Sequence, residues 1–497
     1  MTQDVVRDLS AKPDRTFFGQ PWGLATLFTT EMWERFSYYG MRALLVLYLT
    51  ATPAEGGLGF STSTATAIYS VYVSMVYLLT LPGGWVADRI WGPKKTVAVA
   101  GCVIMIGHFT LAAPAPSAFF IGLVLIALGS GLLKANISTM VGHLYSGPKD
   151  PRRDGGFTIF YMGINLGAFA APLVIGTVGQ RVNWHLGFAL AGVGMGIGLI
   201  IYLFGMGTLS HHSDAVPTPL SREQRRSVLR KGLAWLAVAV VFYAVVGGTG
   251  HYTVNWVTIP LTVIGLLFPA WTLLRIKRDR DLSAEESAKM TGYIWFFVAA
   301  AVFWMIYDQG GSTLNIFAQN NTANSLLGIH FPSSWFQSLN PLYIMALAPV
   351  FAVMWQRLAA RNKEPETATK FSIGLMLVGA SFAVFLLALA AASGGTKVTP
   401  LWLCVVYLIQ TVGELCLSPV GLSVTTKLAP EKYGSQMMGV WFLAVTAGDC
   451  TTSLATTAGA DLNSRPYVTA EIALAVLAGV AILLNRRKIR RYLGEVR

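Results

Sequence analysis

Fourteen stretches of this chain are apolar for long enough to cross a bilayer. They run at about 22–50, 66–87, 96–114, 117–143, 156–180, 186–206, 233–249, 255–274, 291–318, 333–356, 371–392, 400–426, 436–458 and 468–485. A helix needs roughly 20 residues to span hydrocarbon. Backbone polar groups there must be satisfied within the segment, so helices are the natural element. The pattern predicts an all-α membrane protein of fourteen transmembrane helices. An even number keeps both ends on one side.

The polar positions sort by side. With the N-terminus inside, nearly all of the 37 Lys and Arg fall in inner loops or tails. Outer loops hold only Arg181, Lys397 and Arg465, and Arg35, Arg42 and Lys134 lie within spans. This bias is the positive-inside signature and sets both termini in the cytoplasm. Six spans precede the basic loop 207–232 and six follow the basic loop 275–290, with a hairpin turning near Gly250 and His251 between them. We therefore divide the chain into an N-terminal tail (1–21), a first six-helix bundle (22–206), basic linkers with an inserted hairpin (207–290), a second bundle (291–485) and a basic tail (486–497). In repeat-built transporters the substrate site lies near the midplane between the halves.

Composition agrees. The chain is 54% hydrophobic and only 12% charged, against about 25% charged for soluble domains. The net charge of +13 sits in short loops between spans, so nucleic acid is not the expected partner; the lipid bilayer is. Cys102, Cys404, Cys416 and Cys450 lie in apolar segments without metal-site or disulfide spacing. The N-terminal segment lacks the pattern of a cleavable signal peptide. No phosphate loop, HExxH or GxSxG motif is present, and the histidines are scattered. ATP-driven pumping, hydrolysis, a resident cofactor and a metal site are not expected.

Charges inside spans carry more information, because each is expensive in hydrocarbon and marks a partner or a hydrated path. The first half supplies the cations Arg42 and Lys134, and the second half supplies Asp308 and Glu414. With the hairpin set aside, Arg42 and Asp308 lie on the equivalent first and seventh helices, and Lys134 and Glu414 on the fourth and tenth. Bridges across the halves fit this arrangement, as does a zwitterionic substrate between the poles. Permanent structural bridges are the alternative. Glu31, Glu34 and Arg35 share one helical face. Arg35 serves equally well as an ion-pair staple, but two carboxylates exceed what a staple needs. A carboxylate removed from water holds its proton more tightly, so one can exchange protons near neutral pH. Three interior cations face five interior acids, Glu31, Glu34, Asp308, Glu414 and Asp449. One or two of those acids are therefore expected to carry protons in some state.

Two sets of motifs bring in families. Residues 83–96, GGWVADRIWGPKKT, resemble the loop signature of the major facilitator superfamily, in which charges and helix dipoles latch inner helix ends. The resemblance makes Asp88 and Arg89 gate elements; an ordinary basic loop is the other reading. Residues 31–42, EMWERFSYYGMR, resemble the hallmark of the proton-dependent oligopeptide transporter family. They are joined by GFTIFYMGINLGAFAAPL at 156–173, FWMIYDQGGSTL at 303–314, FQSLNPL at 336–342, GELCLSP at 413–419 and MMGVWFL at 437–443. The likeness runs from about residue 20 to 485.

This resemblance implies a major facilitator fold of two six-helix bundles plus an inserted hairpin, as in bacterial members. It implies a proton-coupling cluster at Glu31, Glu34 and Arg35, with Asp308 and Glu414 as further protonation candidates. Tyr38, Tyr39, Arg42, Tyr77 and Lys134 match positions on the peptide's carboxylate side or pocket lining. Asn165, Asn340 and Glu414 match those at its amino end, with Asp308 nearby. Trp304 and Trp441 match aromatic pocket walls. Arg42 and Lys134 would pair with Asp308 and Glu414 as gating bridges.

The chain departs from the family at Asp308, where Glu is usual. The side chain is shorter by one bond, roughly 1.5 Å, so a looser or water-mediated bridge is expected. Asp449 stands where an uncharged residue is expected; it either faces a watery outer vestibule, the preferred reading, or joins the coupling network. Gly310, Gly311, Pro341 and Pro419 stand beside site residues and permit helix bending.

The expected function is proton-driven import of di- and tripeptides across a bacterial inner membrane by a monomer, with protons as coupling ion. Other substrates on the same fold, such as nitrate or peptide-like drugs, are rivals, although nitrate would leave the acids unused. A peptide sensor or a membrane hydrolase is a rival of another class. No loop is long enough for a signalling domain.

Overall fold

The computed structural model describes residues 16–146 and 150–493. Among these described residues fourteen long helical units are present, numbered in chain order. They are α1 Gly23–Thr50, α2 Thr62–Trp91, α3 Pro93–Leu111, α4 Pro116–Gly142, α5 Arg153–Arg181, α6 Trp184–Thr208, α7 Arg222–Gly248, α8 Asn255–Lys277, α9 Ala284–Asn321, α10 Ser333–Ala360, α11 Thr367–Ala391, α12 Leu401–Leu428, α13 Gly434–Thr457 and α14 Arg465–Leu493. Twelve are apolar enough to span a membrane by composition alone. The two that fall short, α1 and α13, carry interior charges and hydroxyls. Their polarity is the cost of bearing part of the site.

Two hydrophobic cores form. One draws on residues from Leu24 to Leu209 with Ile316 added, and the other on residues from Leu273 to Leu493. In the first, α1 packs on α5 and α6, and α3 on α4 and α6. In the second, α11 packs on α12 and α14, and α9 on α13 and α14. The two bodies meet along two seams, α2 with α13 and α5 with α10. Helix α8 lies against both α2 and α13, with Thr262 bonded to Ser453 at 2.8 Å. Helix α7 stays on the periphery and buries only Val246. The hairpin is thus lipid-facing at α7 and seam-facing at α8.

A helix break falls beside Asp308, where Gly310 and Gly311 predict bending, while the helices run unbroken through Pro341 and Pro419. A 3-10 turn, Asp308–Gly311, interrupts α9. Pro419 lies inside α12, and Pro172 opens a π-helical turn in α5. Gly311 is required by contact, because a Cβ there would lie 1.9 Å from the Tyr69 hydroxyl.

The 83–96 motif does something other than expected. Asp88 and Arg89 hold the linker that follows α6. The Asp88 carbonyl accepts from Thr218 N at 3.0 Å, the Arg89 carbonyl from Leu220 N at 3.2 Å, and Lys94 pairs with Asp214 at 2.9 Å. Among the described residues neither Asp88 nor Arg89 makes a side-chain ion pair, so the expected charge latch is not formed. The loop spends its polar groups on a strap across its own bundle. The hydrogen bond from Lys94 holds the Asp214 carboxyl below the usual carboxylate range. The strap should therefore stay docked at neutral pH and loosen as pH falls through that lowered value. Asp214→Asn is expected to speed limited proteolysis within 209–221 a few-fold at pH 7, since exposed ion pairs contribute little.

Candidate functional site

The site is a set of charges and tyrosines where the two bundles face each other. At the ends of the helices away from the basic loops, the bundles are tied together. Gln180 bonds Gln319 at 3.0 Å and Ser333 at 2.8 Å, Trp335 donates to Thr177 at 2.8 Å, and Ser338 donates to the Phe169 carbonyl at 2.8 Å. Asn315 donates to the Ala43 carbonyl at 2.9 Å. Beneath these lies the ion pair of Arg42 with Asp308, at 2.6 Å between Nη2 and Oδ1. Tyr69 closes the corner, hydrogen-bonded to Arg42 Nε and donating to the Asp308 carbonyl at 3.3 Å.

The expected loosening of this bridge by the shorter Asp does not occur. Arg42 reaches both the carboxylate and, at 3.5 Å, the carbonyl of Asp308, so the 3-10 turn itself is drawn against α1. Both side chains are almost fully buried. Breaking such a pair by removing one partner costs about 3–5 kcal/mol, because it strands the other charge.

The second expected bridge is absent. Among the described residues Lys134 makes no ion pair with Glu414. Lys134 instead sits over the Tyr77 ring at 3.8 Å and the Tyr38 ring at 5.2 Å. Glu414 accepts from the Tyr307 hydroxyl at 2.5 Å and from Asn340 at 3.0 Å, and Asn340 also reaches Thr411 at 3.0 Å. The charges that could close the basic-loop side have each taken a neutral partner on their own bundle. The structure is shut on the far side, with these partners parted on the near side.

Beside Lys134 lies the cluster on α1. Arg35 Nε contacts Glu31 at 2.8 Å and Glu34 at 2.7 Å. The Glu34 contact lacks hydrogen-bond geometry, and neither Glu34 oxygen has a hydrogen-bond partner although the residue is 0% exposed. Glu34 is thus the least satisfied carboxylate of the cluster. Tyr38 is buried between three neighbours, with Arg35 at 5.7 Å and Lys134 at 5.2 Å from its ring and Tyr72 stacked at 6.5 Å. Tyr39 lies under Arg42 at 5.9 Å.

The remaining predicted residues divide. Trp304 packs edge-on against Tyr307 at 5.1 Å, with its indole N–H unpartnered. Asn165 is buried and donates to the Tyr161 carbonyl at 2.9 Å. Trp441 belongs to the second core, 3% exposed and edge-on to Phe371 at 6.3 Å. The vestibule expected for Asp449 is contradicted: the residue is 2% exposed at the α2–α13 seam. Its helix packs against α2, α8 and α9, and the outer cavity of about 460 Å³ that Thr66, Ile316 and Thr456 line does not include Asp449.

Sequence reasoning missed four residues. Tyr69 and Tyr307 hold the charges named above. Tyr161 faces open space near Glu414. Glu471 on α14 is a sixth interior acid, 3% exposed, which receives a hydrogen bond from Gln309 beside Asp308. Its signal was an acid in a span; the tyrosines looked like ordinary interfacial aromatics.

Two helical bundles with an inserted hairpin, closing over facing charges, define a transporter of the major facilitator type. The chain belongs to the POT family, whose PTR2 model matches residues 94–469. It is similar to an uncharacterized transporter, YclF, of Bacillus subtilis, 46% identical over 88% of this chain and 87% of that one. A di-/tripeptide transporter of Lactococcus lactis subsp. cremoris is 40% identical over 98% of this chain and 99% of that one. Among solved structures, peptide transporter POT in complex with sulfate superposes with a TM-score of 0.92 at 43% identity, covering 97% of each chain. The family is one of transporters, so the protein moves a solute and is no enzyme.

Proposed function

We propose that the protein is a proton-coupled symporter importing di- and tripeptides by alternating access, as a monomer in the bacterial cell membrane with both termini cytoplasmic. One observation carries the reading. The far-side bridge Arg42–Asp308 is closed while Lys134 and Glu414, of opposite sign and on opposite bundles, stand apart and free to be bridged by a guest. A peptide zwitterion has the matching ends. Its carboxylate would meet Arg42 and Lys134 beside Tyr38, Tyr39 and Tyr77, and its ammonium Glu414, Asn340 and Asn165 with Asp308 nearby. Trp304 would bound the side chains, whereas Trp441 is packed in the second core. Glu31, Glu34, Asp308 and Glu414 are the groups that would carry protons, with Arg35 holding the first two in place, and no cofactor is needed.

The relatives support this. They include di-/tripeptide transporters, and POT-family structures hold 5-aminolevulinic acid at 36% identity and, in a variant, alafosfalin at 43%. Those ligands also favour a wider reading, in which small amphoteric molecules besides peptides are carried.

The test is uptake of labelled dialanine into proteoliposomes under an inward proton gradient. Gradient-driven accumulation is expected; none, with active controls, refutes the reading. Lys134→Ala is expected to cut uptake roughly a hundredfold, since losing a buried charge's partner is worth about 3 kcal/mol.

A further inference from the structure

The seam between α2 and α13 contains a carboxylate with no assigned work. Along α13, Phe442, Thr446 and Asp449 follow one another at helical spacing and share a face. That face meets α2. Phe442 stacks on Tyr77 at 5.9 Å, and Thr446 donates to the Ser74 carbonyl at 3.1 Å. The helices run antiparallel, so Asp449 falls one turn further out, toward the level of the Arg42–Asp308 pair. Its helix cannot back away. A Cβ at Gly448 would come within 2.6 Å of the Ala301 carbonyl of α9, and Thr452 donates to the Met305 carbonyl at 3.3 Å.

Asp449 is 2% exposed and makes no hydrogen bond or ion pair among the described residues; its Oδ2 is buried and unpartnered. The Asp308 Oδ2 is equally buried and unpartnered. The charged groups whose fields reach Asp449 are Asp308 and Arg42, and neither is in ion-pair contact with it among the described residues; the geometric link is α2, where Tyr69, near Ser74, is bonded to Arg42. Other packed elements bring neutral groups: Ser74, Tyr69 and Tyr72 on α2, the latter two engaged with Arg42 and Tyr38; Thr262 on α8; Tyr407 on α12, donating to the Gly310 carbonyl; and Cys450 beside it. One cation therefore stands before two carboxylates, and only one is paired. An ionised carboxylate without a partner in an apolar interior costs several kcal/mol.

We propose that Asp449 is a further proton-binding site of the transport cycle, loaded from the far side while that gate is open, protonated as the gate shuts, and discharged toward the basic-loop side before the gate reopens. The inference rests on the symport reading above. It gives the far-side gate two carboxylates that share one arginine. With Asp449 protonated, Arg42 is left to Asp308 alone and the bridge shuts. With Asp449 ionised and hydrated, Arg42 has two competing partners and the bridge is weakened.

Two measurements test it. In proteoliposomes clamped at zero potential, a one-unit proton gradient changes the limiting accumulation ratio tenfold for each proton carried. Asp449→Asn mimics the protonated side chain. It is expected to keep dialanine counterflow but to lower that ratio about tenfold, while Asp449→Glu restores it. An unchanged ratio in the Asn variant beside gradient-driven wild type overturns the inference and leaves the symport reading standing. The second measurement needs no variant. The wild-type protein is treated with dicyclohexylcarbodiimide, which attacks protonated buried carboxyls, and the sites are mapped by mass spectrometry. Labelling of Asp449 at pH 7 is expected, and its absence while other interior acids react overturns the inference. A wild type that shows no gradient-driven uptake would instead end the symport reading.

Discussion

Glu34→Gln is expected to abolish gradient-driven uptake of a dipeptide while leaving counterflow of the same dipeptide measurable. Glu34 is fully enclosed, and among the described residues its oxygens accept no hydrogen bond and its one ion pair is with Arg35, which Glu31 also holds. Gln keeps the shape but cannot take up or release a proton. Because Glu31 remains on Arg35, the staple survives and α1 should stay folded. The diagnostic is the split between the two assays. Loss of both together would mean Glu34 is structural, and retention of both would remove it from the coupling cluster.

Arg42→Ala is expected to release the far-side gate. The substitution strands the Asp308 carboxylate, which is 4% exposed and has no other cation in contact among the described residues, and frees the Tyr69 hydroxyl. At about 3–5 kcal/mol, the loss is enough to shift a two-state balance by roughly two to almost four orders of magnitude. A cysteine placed at Gln319, which joins the bundles through Gln180, should become reactive to a membrane-impermeant thiol reagent. The double variant Arg42→Ala with Asp308→Ala should react less than the single one, because no stranded charge remains. Equal protection of Gln319 in wild type and Arg42→Ala would show that the polar ties above the bridge close the gate without it.

The residues differ in how far they could be read in advance. Arg42, Lys134, Asp308 and Glu414 stand out because charge in a span is rare and costly. Glu471 should have been read by the same rule. Tyr69 and Tyr307 could not be singled out, since a tyrosine in a span most often marks the membrane interface. Which cation pairs with which acid was also not legible. Repeat symmetry made both bridges equally natural, and only one is formed.

The chain's own pattern settled the number of helices, their order and the two-bundle plan, because hydrocarbon enforces long apolar helices. The three-dimensional packing settled the rest. It drew the 3-10 turn at Asp308 onto Arg42, turned Lys134 to the tyrosines and Glu414 to Tyr307 and Asn340, and sealed Asp449 in a seam where an open vestibule was expected. Those outcomes depend on which of two near-equal interfaces is closed. That is a balance of a few kcal/mol between contacts remote in sequence, and no local pattern encodes it.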